Sequence, residues 1–365
     1  MNNPQSEQSE VKHNCANVSV QHDKEVAETT VTAEIPAERT ALYREKAIAE
    51  LEKSAKIDGF REGKVPRDVL IKHTGESAIM ERTAHIALSE ELPLLLAAEG
   101  IPAISTPSVS VTKIAQGNPL GFTAKVAVMP EVTLADYKKI AKEGTGKKEL
   151  VVVTEEEVEE TITHLRRERA KIEKIEAGTD PSKAAEEAAQ MQTLELPGID
   201  DPFVQSLGYK DADDFKIKLR ENIKTEKENR EREKVRIAII DEIVAKSTIP
   251  VPGALVNHEL DKMEAQMSGD LEQAGLTLEK YFEQIGKKRE EMRGEWKETA
   301  KKRAQMQLAL AEIAQKEDIK ADKATLNTHV EHAKKHNKDI NEANVRAYYE
   351  QALRNEAVLK YLENL

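Results

Sequence analysis

The residues best suited to contact a partner lie in one stretch, Ile57-Asp58-Gly59-Phe60-Arg61-Glu62-Gly63-Lys64-Val65-Pro66-Arg67. Two glycines bracket an aromatic and an arginine, and a lysine and a proline follow. Glycine reaches positive φ without a steric penalty, so Gly59 and Gly63 can fold the chain back on itself. Pro66 fixes its own φ and pushes Val65 out of the helical region. The pattern predicts a projecting loop with Phe60, Arg61 and Lys64 near its tip. A Phe beside two cations on a loop is hard to explain by folding alone. The plain alternative is a helix–helix connection whose Phe tucks back into the core. Around the loop, Lys53, Lys56, Arg61, Lys64, Arg67 and Lys72 oppose Asp58, Glu62 and Asp68, a local excess of three positive charges.

Other candidates for chemistry are weaker. The sequence has no Gly-rich phosphate loop, no His-Glu-x-x-His helix and no paired-cysteine metal site. His329, His332 and His336 fall at i, i+3 and i+7 on one predicted helix face, which a metal could exploit. Without a Cys or an evident carboxylate partner, the reading is a solvated face. Cys15, the single cysteine, sits in a polar N-terminal stretch with no assignable activating base. Met263, Met267, Met292 and Met306 lie on C-terminal helical patterns. Flexible, polarisable Met suits promiscuous apolar surfaces, although ordinary interhelical packing is the plainer account of any single one.

The composition sets bounds. The 365 residues are 33% charged and 39% hydrophobic, with a net charge of −12 and only 4% aromatics. Such a length supports two or three domains, with cores of Leu, Ile, Val, Ala and Met. The acidic balance argues against a general nucleic-acid binder but leaves room for one local basic contact. A lone cysteine cannot pair within the chain. The polar start lacks the apolar core of a signal peptide, and the longest apolar run, near residues 92–104, is interrupted by Pro93, Glu99, Gly100 and Pro102. The expectation is a soluble, cytoplasmic protein with no membrane segment and no cofactor.

The elements that position the loop follow from periodicity. Residues 1–15 are expected to be a disordered tail. Alternation at Val18, Val20, Val26, Val31 and Ile35 predicts a hairpin turned near His22-Asp23-Lys24. Pro36 opens a helix whose stripe is Leu42, Ala47, Leu51, Ala55 and Ile57. Beyond the loop come a short helix over 67–73 and a long one over 76–99. Ile79, Thr83, Ile86, Leu88, Leu92, Leu95 and Leu96 line its inner face. Two strands, 104–115 and 122–128, flank the Gly117-Asn118-Pro119 turn. This ββ-α-loop-α-ββ domain occupies 16–137. Residues 138–195 read as a linker. They include a turn at Gly144-Thr145-Gly146 and an arm helix started by the Thr154 capping box, striped by Val158, Ile162, Leu165, Ile172 and Ile175. A short polar segment, 179–193, ends the linker. Residues 196–365 read as an all-α domain with a long, charged helix over 212–246. The fold class is α+β and mostly helical.

The loop Gly59-Phe60-Arg61-x-Gly63-Lys64-x-Pro66, set in this domain, resembles the ribosome-docking motif of bacterial trigger factors. Pro130-Glu131-Val132 is similar to that family's end of the N-terminal domain. Leu207-Gly208, the long charged helix and Ile249-Pro250-Val251-Pro252 resemble the start of its C-terminal domain. The resemblance covers nearly all of the chain from Val18. It implies an ATP-independent nascent-chain chaperone that docks at the exit tunnel on a ribosomal protein and adjacent rRNA, and shields apolar segments to assist folding and export. On this basis Phe60, Arg61 and Lys64 carry the contact and Gly59, Gly63 and Pro66 shape the loop. Leu260, Met263, Met267, Met292 and Trp296 are candidates for client contact. Off the ribosome, a second copy of the chain is a further candidate partner.

Two departures from the family stand out. Glu62 replaces a second cation common after the Phe-Arg pair, which weakens the expected docking. The FKBP-type peptidyl-prolyl isomerase domain usual between linker and C-terminal domain has no room, because residues 178–195 are too few, polar and free of aromatics. Catalysis is therefore not expected. The competing readings are isomerase activity as in full-length members, and a helical adaptor unconnected to translation.

Overall fold

The computed structural model describes residues 13–58, 60, 64–146, 149–336 and 340–365. In chain order the elements are β1 (Ala16–Asp23), β2 (Glu28–Ile35), α1 (Ala37–Ser54), α2 (Arg67–Thr74), α3 (Glu76–Ala98), β3 (Ser108–Lys113) and β4 (Leu120–Ala127). Helices follow: α4 (Tyr137–Thr145), α5 (Glu155–Glu176), α6 (Pro181–Gln190), α7 (Asp201–Ser206) and α8 (Ala212–Lys246). The last are α9 (Gly253–Gln273), α10 (Leu278–Ile285), α11 (Arg289–Lys316), α12 (Lys323–His336) and α13 (Glu342–Glu363). Two compact units result. One joins the residues through Ala135 to Lys246–Asp318, and the other joins Asp136–Ala245 to Ile319–Leu365.

In the first unit the strands form one antiparallel sheet in the order β1-β2-β4-β3. The period-2 pattern of β2 puts Val31, Ala33 and Ile35 on one face, in register with Ala124, Phe122 and Leu120 of β4. Tyr43 and Ala47 of α1, and Ala84, Ala87, Leu92 and Leu95 of α3, cover that face. Burial of a side chain such as Phe122 stabilises by about 1.5–3 kcal/mol. The α1 stripe is met at Ala47, which is buried, but not at Leu42, which is 58% exposed while Tyr43 and Ile48 are buried. Leu42 lies about 100° from Tyr43 around the helix, and the aromatic wins the inward position. Backbone bonds in both directions between Thr133 and Thr248, at 3.0 and 2.9 Å, fasten the later segment of this unit to the earlier one. Ala135 N–H also donates to Ser247 Oγ at 2.9 Å. Helices α9 and α11 then pack against each other in the same unit.

Residues 13–15 are not a loose tail. Cys15 packs against the sheet core, and its thiol is pushed up to about 11, by burial first and by Glu91 second. Asn14 Nδ2 donates to both Glu91 carboxylate oxygens, at 3.4 and 3.2 Å.

In the second unit, α4 occupies residues expected to be linker. Asp136 caps it by accepting from Lys139 N–H, and Ile140 and Ala141 are buried. Gly144 lies inside this helix where α8 approaches closely: a Cβ there would sit 2.4 Å from Ile239 Cγ1. Gly144→Ala is expected to destabilise the protein by about 1–3 kcal/mol, since Ile239 is branched and fully packed. Chemical denaturation checks this, and an unchanged midpoint would refute the close approach.

The capping box at Thr154 is present and starts α5. Val158 and Ile162 are buried with Val204 and Phe215, but Ile172 is 53% exposed and Ile175 36%. Ala170 takes the inward place instead, against Ala188 of α6 and Leu196. Small residues let α5 and α6 approach, so the segment expected to be merely polar linker folds as a helix. Arg166 donates to the Thr193, Leu196 and Pro197 carbonyls, and Arg169 to the Gly198 carbonyl and Asp200. On α8, Arg236 is chelated by Glu356 and Glu363 of α13 at 2.7–3.2 Å, which keeps its guanidinium charged well beyond the ordinary range.

Candidate functional site

A second small core supports the loop. Ile48 of α1, Leu70 of α2, Ile79 of α3 and Val65 are buried together, with Leu51, Ala55 and Ile57 packed against them. Ile57 and Val65 therefore pin the two ends of the loop. Between them Phe60 donates its N–H to the Ile57 carbonyl at 3.1 Å, while its side chain remains 42% exposed. Phe60 thus stays out of the core that lies a few residues away on either side. Lys64 and Pro66 are exposed, and Pro66, in extended conformation, caps α2 as its first flanking residue. Gly59, Arg61 and Gly63, with Glu62, lie outside the described residues.

Ion pairs fix the helices that carry the loop. Arg44 of α1 meets the Glu76 carboxylate of α3 through two hydrogen bonds of 2.9 and 2.8 Å. Hydrogen bonding to Arg44 holds the Glu76 carboxyl below its ordinary value. Lys46 binds Glu90, and Arg82 binds Glu50. Arg67 donates to Glu45 at 2.5–2.6 Å, so its charge is answered on α1 and the basic island is smaller than a residue count implies.

Sequence reasoning missed a buried carboxylate at the other end of this helix pair. The Glu91 side chain is fully inaccessible; it accepts from Tyr43 Oη at 2.6 Å and from Arg39 Nε at 3.2 Å, besides Asn14. Burial alone would raise the Glu91 pKa, but the donors from Tyr43, Arg39 and Asn14 outweigh it and hold the carboxyl low. Burial and the same hydrogen bond push the Tyr43 hydroxyl up to about 12. The signal was available: Ala84, Ala87, Glu91 and Leu95 lie on one helical stripe.

The candidates for client contact divide by exposure. Leu260 of α9 and Met292 of α11 are buried, with 4% and 7% of their surface accessible, and serve as packing. Met263, Met267 and Trp296 are half-buried and keep accessible surface. The first unit also has two apolar grooves between α3 and the outer strand β3, each of about 740 Å³, which meet at His85 and Leu88. Periodicity in α3 and β3 does not reveal them, because they arise where an edge strand parts from a helix. Among the described residues no group of three or more His, Cys, Asp or Glu side chains is placed to hold a metal. His329 stacks on Tyr349, with ring centres 5.1 Å apart. No described helix is long and apolar enough to cross a membrane.

An exposed aromatic, Phe60, between α1 and α2, a small antiparallel sheet and a mostly helical remainder define a protein of α+β class. Residues 16–165 match the family model described as bacterial trigger factor protein, and residues 211–363 match the model of the trigger factor C-terminus. The chain belongs to the trigger factor family. It is 27% identical over 363 residues to a trigger factor of Halalkalibacterium halodurans, covering 80% of this chain and 84% of that protein. A trigger factor of Bacillus mycoides is 25% identical over 374 residues, covering 82% and 87%. A solved chain described under "Promiscuous Substrate Recognition in Folding and Assembly Activities of the Trigger Factor Chaperone" aligns with a TM-score of 0.48 at 17% identity, covering 95% and 99%. The FKBP-type isomerase domain is absent. Residues 166–210, between the matched spans, hold the end of α5, then α6, a 3-10 turn at Thr193–Glu195 and α7.

Proposed function

We propose that this protein is an ATP-independent cytoplasmic chaperone that docks beside the ribosomal exit tunnel through the loop at 59–66 and shields apolar segments of nascent chains. The observation that carries the reading is Phe60, exposed between the partly buried Ile57 and the buried Val65. Set in the Gly59-Phe60-Arg61-x-Gly63-Lys64-x-Pro66 stretch, the exposed Phe60 is available to a partner, and the likeness of that stretch to the family's docking motif supports the ribosome as that partner. Lys64 and Arg61 then supply attraction to rRNA, while the net charge of −12 disfavours indiscriminate RNA binding. Gly59, Gly63 and Pro66 shape the loop. Met263, Met267 and Trp296 are the accessible members of the client set, and Leu260 and Met292 are buried. No cofactor is expected, and a second copy of the chain is a candidate partner off the ribosome.

The chaperone reading is tested by light scattering from a chemically unfolded protein diluted into buffer. Stoichiometric amounts of this chain are expected to suppress aggregation without nucleotide. Unchanged aggregation together with one stable stoichiometric partner would favour a helical adaptor instead. Clear acceleration of a proline-limited refolding reaction would assign catalysis to a chain without the isomerase domain.

A further inference from the structure

The last turn of α12 carries a feature that chaperone function does not use. His332 and His336 are four residues apart on one helix, both exposed, and their Nε2 atoms lie 3.3 Å apart. The ring centres are 4.5 Å apart at an interplanar angle of 52°. The nitrogens are closer than the ring centres, so the two imidazoles approach each other tip to tip. Zinc–imidazole bonds are about 2.0–2.1 Å in tetrahedral geometry, which places two ligating nitrogens about 3.3 Å apart. A direct N–H···N bond would more often be shorter, and two rings open to water gain little from bonding each other. Spacing i, i+4 is the one at which two histidines on a helix face serve one ion.

The surroundings favour a cation there. Lys334, between the two histidines in sequence, is tied to Glu331 at 3.2 Å and to Glu342 at 2.7 Å, so its charge is answered by two carboxylates. His329 does not join, because its ring is stacked on Tyr349. Without a third protein ligand among the described residues, water completes the coordination.

We propose that His332 and His336 form a two-imidazole binding site for a divalent first-row transition ion, Zn2+, Ni2+ or Cu2+, which clamps the last turn of α12. Nitrogen ligands suit these ions and not Mg2+. The test is calorimetric titration of ZnCl2 into the full-length chain in a non-chelating buffer, repeated with MgCl2. One zinc site and no magnesium binding are expected. His332→Ala and His336→Ala should each weaken that site by about tenfold or more, and the double variant should be no worse than either single one. His329→Ala should leave it unchanged. Hydrogen exchange gives a second readout: zinc should slow exchange of amides in the last turn of α12 in the wild type and not in His336→Ala. Zinc binding that survives both substitutions, or that falls only twofold with each, would overturn the chelate, since independent single histidines would behave that way.

Discussion

Phe60→Ala/Arg61→Ala is expected to reduce co-sedimentation with ribosomes by about tenfold to a hundredfold while leaving the thermal transition in place. Truncating a hot-spot aromatic or arginine costs about 2 kcal/mol and such costs are not additive, so the pair is expected to lose about 1.4–2.8 kcal/mol, at 1.4 kcal/mol per tenfold change in affinity. The fold should tolerate the change because the Phe60 side chain lies outside both cores of the first unit, and exposed substitutions cost within about 0.5 kcal/mol. Two further arms separate shape from charge. Lys64→Ala should weaken pelleting less and flatten its salt dependence, as loss of one phosphate contact does. Glu62→Arg should strengthen it by adding the cation that the motif lacks. Equal pelleting of wild type and double variant would sink the docking role of the loop. The chaperone assay without ribosomes would remain a separate question.

Glu91→Ala should destabilise the first unit by about 3 kcal/mol. Removing one partner of a buried ion pair typically costs about 3–5 kcal/mol. The low end applies because Arg39 keeps 39% of its side-chain surface exposed and can rehydrate. Tyr43, by contrast, is 3% exposed and would lose the acceptor for its hydroxyl. Glu91→Gln retains an acceptor and should cost less. The pH dependence has a definite sign. The folded pKa of Glu91 lies below its unfolded value of about 4.3, so its contribution is complete above that range. It disappears as the pH falls through the lower, folded value. Tyr43 works in the opposite direction: its pKa is raised from 10.0 to about 12, and its contribution is lost as the pH rises through that interval. Urea midpoints between pH 3 and 7 should therefore slope less in Glu91→Ala than in the wild type. Parallel slopes would refute the assignment.

These effects divide by how much of each was legible beforehand. The four strands and the helices on either side of residues 55–66 were readable because each obeys a local rule. Period-2 alternation gave β2 and β4, Pro66 gave the start of α2, and the Thr154 box gave the start of α5. What misled was any place where a neighbour overrules the local signal. Gly144 suggested a turn, yet it lies within α4, and its missing side chain leaves room for Ile239 of α8. Ile172 and Ile175 suggested a buried stripe, yet Ala170 faces α6, since only a small residue lets the helices meet. Residues 13–15 suggested a tail, yet Asn14 is held by a carboxylate 77 positions later.

Residue type, local spacing and length specify a mostly helical α+β protein with Phe60-Arg61 between two glycines and no room for an isomerase domain. Those properties require no knowledge of distant contacts. Distant contacts, by contrast, keep Phe60 out of the core formed by Ile48, Val65, Leu70 and Ile79 and pair Arg67 with Glu45. The tertiary structure likewise buries Glu91 among its donors and sets the nitrogens of His332 and His336 tip to tip. Each of these depends on which surfaces meet, and a chain's local pattern carries charge and polarity but not the position of the partner that satisfies them.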